Sequence, residues 1–205
     1  MIKTYEKIKN IRGMTYVELI VVLSIMSAMA TVVIFNYGTF QAKIEIKNLA
    51  SDIALEIVEV QKLSLSGKLP QAATGPTWKP SYGVYFSSTT TTKFISFVDL
   101  NNSNTCSSAG CAPPSYSIGG EVLDIINITK GNTIPASGLG VSGSGCPATV
   151  TNLSIVFKRP NSTPIITSST SLVGCAVSYF TVNILSPKGP TAGIRIYPSG
   201  RVQVN

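Results

Sequence analysis

The 205-residue chain is long enough to bury a core, and its length fits one globular domain with an appended segment. Only 12% of its residues are charged, about half the ~25% usual in soluble domains, and the abundance of Ser, Thr, Gly and Asn suits an exported β-rich surface protein. Histidine is absent, which excludes Ser-His and Cys-His catalysis, and the four cysteines contain no C-x-x-C pair for zinc, so neither an enzyme nor a metal- or cofactor-dependent protein is expected.

The net charge of +7 is unevenly divided. Residues 1–13 carry Lys3, Lys7, Lys9 and Arg12 against Glu6, whereas residues 14–66 are net negative and the remainder is net positive. From Met14 to Phe35 the chain is almost wholly apolar. At ~1.5 Å per residue this stretch makes a helix of about 33 Å, enough to cross a hydrocarbon core of ~30 Å. The cations before it keep the leader cytoplasmic and send the C-terminal bulk across the membrane. Within the stretch stands Glu18, whose carboxylate costs roughly 2.5–3.5 kcal/mol at a bilayer centre and so marks function by default.

The residues around it read Arg12-Gly13-Met14-Thr15-Tyr16-Val17-Glu18-Leu19. This run resembles the type III signal of type IV prepilins and pseudopilins, with Met14 where phenylalanine is usual and Tyr16-Val17 where Leu-Ile is commonest. The resemblance implies that a prepilin peptidase cuts between Gly13 and Met14 and methylates the new N-terminus on Met14. Glu18 then takes the place of the family's glutamate at the fifth mature position. Its carboxylate would meet the α-ammonium of a neighbouring subunit, two buried charges neutralising each other and setting register. Two rivals exist. An ordinary signal peptide has a handle in Ala28-Met29-Ala30, but the apolar run continues past that site to Phe35. A plain membrane anchor leaves Glu18 unexplained.

No proline interrupts residues 14–69, so one continuous helix of about 50 residues is expected. Ile46, Leu49, Ile53, Ile57, Val60 and Leu63 recur at steps of three and four, which makes one helical face, and Ser66-Gly67 with Pro70 ends the helix. After Pro70 the pattern changes to short β-branched and aromatic runs. Strands are predicted over Tyr82–Ser87, Lys93–Val98, Glu121–Thr129, Leu153–Lys158, Val177–Leu185, Gly193–Tyr197 and Arg201–Val204, with surface loops at Thr105–Ser117 and Lys130–Ala148. The fold class is thus α+β: a long N-terminal transmembrane or stem helix packed on a C-terminal antiparallel β-sheet head, the lollipop form of pilins. Its parts are a cytoplasmic leader (1–13), the helix (14–66, with 14–35 spanning and 36–66 amphipathic) and the head (70–205).

The order of elements and the closing hairpin Gly193-Ile-Arg-Ile-Tyr197…Gly200-Arg-Val-Gln-Val204 look like the minor pseudopilin branch, similar to the H subunit of type II secretion and the FimT-like minor pilins. Some FimT-like pilins bind DNA through Gly-Arg-x-Arg at this hairpin; here Gln203 stands where the second arginine would be. Solvated surface charge is the simpler reading of the head's cations. Asp99-Leu-Asn-Asn-Ser-Asn104 offers oxygen ligands faintly like a calcium loop but lacks its glycine and glutamate, and an Asx turn explains it more simply. The sequons at Asn127, Asn152 and Asn161 are too short a pattern to carry weight in a Ser/Thr-rich chain.

The resemblance implies a structural subunit, of the minor kind, in a type IV pilus-like or type II secretion filament. Its partners would be other pilin-like subunits, the peptidase, the inner-membrane assembly platform and the membrane itself, first as a single-pass precursor and then as a periplasmic or cell-surface filament. The alternatives are a DNA-uptake pilin with a nucleic-acid-binding head and a secreted adhesive β-domain. A translocated head meets an oxidising compartment, where the pairs Cys106–Cys111 and Cys146–Cys175 are expected: Ser-Ser-Ala-Gly lets the first two approach, and proximity leaves the others.

Overall fold

The structure is a computed structural model and describes residues 13–68, 81–113, 115–118, 120–161 and 163–205. The leader before Gly13, the stop at Pro70 and the sequon residue Ser162 lie outside the described residues. Two compact units are distinguished, Met1–Phe40 and Gln41–Asn205.

One helix, α1 (Tyr16–Ser66), dominates the N-terminal half. Thr15 starts it as an N-cap: its Oγ1 accepts from the Glu18 backbone N–H at 3.3 Å, and its carbonyl accepts from Leu19 N–H at 3.1 Å. Gly67 ends it in the left-handed region (φ 65°), where its N–H reaches the Ser64 carbonyl at 3.2 Å. Ala42, Ile46, Ala50, Ile53, Ile57, Val60 and Ser64 form the buried stripe, flanked by partly buried Leu49 and Leu63. The small residues let the helix approach closely, and Ser64 Oγ donates to the Phe157 carbonyl at 2.7 Å.

Among the described residues nine strands follow, all antiparallel to their neighbours and divided between two sheets. The first sheet holds β1 (Ser81–Ser87), β2 (Lys93–Asp99), β3 (Val122–Asn127), β5 (Asn152–Lys158) and β6 (Pro164–Ser168) in the order β3-β2-β1-β5-β6. The second holds β4 (Leu139–Ser144), β7 (Ala176–Leu185), β8 (Thr191–Ile196) and β9 (Val202–Val204) in the order β4-β7-β8-β9. The helix stripe, Val84, Phe86 and Phe157 of the first sheet, and Val182, Ile184 and Ile194 of the second share one core.

The first sheet is covered on both faces. Tyr85, Ile95, Phe97 and Val156 point away from the main core into a second cluster closed by Cys106 and Cys111 of the β2–β3 loop. This double coverage explains why β1 is buried along its whole length. In the second sheet β7 and β8 alternate between buried and more open residues, so one face packs and the other looks out.

Two segments differ from expectation. Lys130–Ala148 is not all loop, because β4 lies within it, and β6 has no counterpart among the predicted strands. Leu-Gly-Val-Ser-Gly-Ser reads as loop, yet its glycines let the backbone come close to β7: a Cβ on Gly140 would stand 2.8 Å from Thr181 Oγ1. The proline that opens β6 is tolerated because β6 is an edge strand.

Candidate functional site

At the N-terminal end the first turn of α1 puts the chain's processing candidates side by side. Gly13 and Met14 precede the helix, are exposed, and are followed one turn later by Glu18. A Cβ added at Gly13 would meet nothing within 4 Å, so its glycine identity is not demanded by the fold. From Met14 to Phe35 every described side chain is exposed, including Leu23, Met29 and Phe35. Three polar groups in and just after this stretch turn inward on the helix: Ser24 Oγ donates to the Val21 carbonyl, Thr31 Oγ1 to Ser27 and Asn36 Nδ2 to Val32, at 2.8 to 3.1 Å. Hydroxyls satisfied on the helix's own carbonyls, as at Ser24 and Thr31, suit a medium without water. By length and composition it is the one described helix able to cross a membrane.

Both cysteine pairs are joined, Cys106 to Cys111 with Cα atoms 5.7 Å apart and Cys146 to Cys175 at 4.6 Å. The first closes the β2–β3 loop over the second apolar cluster, and the second ties the end of β4 to the entry of β7. Glu121 lies near the first bridge, its carboxylate within 4.8 Å of both sulfurs. That trio is a poor metal site, since disulfide sulfurs are not thiolates and Glu121 is committed elsewhere. Its carboxylate accepts from the backbone N–H groups of Ser107 (2.7 Å), Ser108 (3.0 Å) and Leu100 (3.3 Å) and from the Ser107 hydroxyl. Glu121 therefore organises the long loop, a role no local motif announces.

The Asp99–Asn104 segment is likewise an Asx-type turn. The Asp99 carboxylate is buried and accepts from Ser103 N–H at 3.0 Å and Asn104 N–H at 2.9 Å, while Asn101 Oδ1 accepts from Ser103 N–H. These oxygens face the backbone of their own turn.

The outward face of the second sheet carries an arrangement the sequence conceals. The Arg195 guanidinium lies over the Tyr179 ring at 4.8 Å, Arg201 lies over Tyr197 at 4.0 Å, and the two rings are 5.8 Å apart. Tyr197 Oη donates to Gln203 Oε1 at 3.0 Å, and the Asn205 amide oxygen, oriented by the network, accepts from Arg195 Nε at 2.8 Å. From Ile125 to Asn205 the chain has six cations and not one aspartate or glutamate.

Carboxylates gather elsewhere in the head. Glu45 is paired with Lys130 at 3.2 Å. Asp52, Glu56 and Glu59 lie along one side of α1, and Glu56 feels both Glu59 and Asp124 of β3. Burial, then the Glu59 charge, pushes the Glu56 carboxyl above its ordinary range; a hydrogen bond from Ser96 opposes this, and Asp124 adds to the rise.

Searches for a matching family, a related curated protein and a similar solved structure found none.

Proposed function

We propose that this chain is the precursor of a structural filament subunit of the type IV pilin or pseudopilin kind. Held in the cytoplasmic membrane by residues 14–35, it is cut between Gly13 and Met14 by a prepilin peptidase and methylated on Met14. It then assembles through α1 with other pilin-like subunits on an inner-membrane platform. The observation that carries this reading is an apolar helical segment, residues 16–35, exposed on every side with a single carboxylate, Glu18, in its first turn. Such a surface needs lipid or neighbouring stems to cover it. The carboxylate one turn from the new terminus then has a partner only once that terminus is cut. Two disulfides in the head fit its exposure to an oxidising compartment.

N-terminal sequencing of the mature protein is the direct test: methylated Met14 is expected, and a start at Thr31 would replace this reading with a secreted domain. Gly13→Val should leave an uncut, membrane-held precursor. Glu18→Ala should be cut normally yet enter filaments at least about tenfold less, because one partner of a buried ion pair is gone. Wild-type incorporation of Glu18→Ala would remove the assembly role.

A further inference from the structure

The outward-acting carboxylates of the head share one surface. Asp99 and Glu121 are buried under backbone N–H groups and Glu45 is held by Lys130, so the carboxylates left to act outward are Asp52, Glu56, Glu59 and Asp124. They sit together on one side of α1 and on the edge strand β3, beside Leu55, which is 61% exposed. The second sheet's outward face, carrying Arg195 and Arg201, belongs to the acid-free 81-residue stretch that begins at Ile125.

We infer that these two surfaces are the halves of one interface, the Tyr179/Arg195/Tyr197/Arg201 face of one copy docking on the Asp52/Glu56/Glu59/Asp124 patch of a second copy of this chain. The inference rests on the filament reading and adds the contact that holds the heads. Tyrosine and arginine are the residues that concentrate binding energy at protein interfaces. Here the guanidiniums are already placed over rings, which lowers the ordering cost of meeting carboxylates. Single-stranded nucleic acid is the other ligand such a face could suggest. Base stacking needs open aromatic faces, however, and each of these rings already has a guanidinium on it. The helix stripe and the inner side of the second sheet pack into one shared core, so the acidic patch and the cationic face both look outward and can pair between molecules. Because the two patches differ, the contact is heterologous. Repeated from copy to copy it builds a ring where the rotation between copies closes and an open polymer where it does not.

The test uses the full chain in its membrane, with two differently tagged copies co-expressed, one carrying Glu59→Cys and the other Arg201→Cys. Mild oxidation should cross-link the two tags at least about tenfold more than a Glu59→Cys/Glu59→Cys pairing, the scale expected for a specific charge-paired contact. Arg195→Glu with Arg201→Glu should abolish docking, scored with the reporter cysteine moved to Gln203→Cys, and Asp52→Lys with Glu59→Lys in the partner, its reporter at Asp124→Cys, should restore it. Filaments at wild-type abundance with no preferential cross-link would overturn the docking and leave the filament reading standing. Cross-linking without any filament would do the reverse. Loss of binding to a single-stranded oligonucleotide in the double glutamate variant, with copy-to-copy cross-linking unchanged, would assign the face to nucleic acid and overturn the proposal.

Discussion

Phe35 and Phe157 are the same side chain in opposite circumstances. Phe35, in the N-terminal unit, is 81% exposed, while Phe157, in β5, is fully enclosed between helix and sheets. Residues 14–35 turn their apolar groups outward, and Ser24 and Thr31 satisfy their hydroxyls on the helix's own backbone. The head buries its apolar groups and gathers its outward carboxylates on one surface. The first therefore draws its stability from whatever surrounds it, and the second from its own packing.

The largest expected effect breaks this contrast at its two ends. Phe157→Ala should destabilise the head by about 3–5 kcal/mol, the range for emptying a packed aromatic site. Phe35→Ala should leave the head's melting unchanged and register only in membrane retention or filament yield. Thermal unfolding in detergent, followed by tyrosine signals, checks both, and equal losses would show that the two units share one cooperative core.

Cysteine pairs sharpen the comparison within the head. Closing the 29-residue separation between Cys146 and Cys175 should contribute roughly 3–4 kcal/mol by restricting the unfolded chain, and the five-residue separation of Cys106 and Cys111 about 2 kcal/mol. Replacing each pair by serine should thus cost more at the longer bridge. A reversed order would mean that the β2–β3 loop depends on its bridge to keep the second apolar cluster closed. Peptide mapping without reduction should find these two pairings and no cross-link between them.

Legibility in the sequence followed the range of the interaction. The helix, its close at Ser66-Gly67 and the strands with β-branched alternation were readable because each depends on neighbours three or four residues away, or two. β4 and β6 were not, since a glycine-rich run becomes a strand only when β7 approaches it and a proline only when an edge is available. Asp99–Asn104 could be read as a turn from its own residues. Glu121 could not be read as that loop's organiser, because its partners are 13 to 21 residues distant. The Tyr–Arg pairs stayed hidden for the same reason. Arg195 reaches Tyr179 through the β7–β8 register, which places Thr181 opposite Arg195 and Phe180 opposite Ile196, and no spacing along the chain encodes that.

The smallest expected effect concerns Glu56, where the clustering of carboxylates works against the head's own stability. Burial comes first and Glu59 second in raising its carboxyl, with Asp124 adding a little and Ser96 pulling the other way. A folded-state value above the unfolded one means that the native head binds the proton more readily than the unfolded chain. Stability should therefore fall as pH rises from the unfolded value of 4.5 through the raised one, and the ionised group should remain a cost at neutral pH. Glu56→Gln removes that cost while keeping an acceptor for Ser96. The variant should melt slightly higher than wild type at pH 7, converge with it below pH 4.5, and show a flatter dependence between. A lower melting temperature at pH 7 would mean that the ionised carboxylate's bond with Ser96 outweighs burial and the Glu59 charge. It would also remove the picture of an acidic patch held at a cost for a partner to relieve.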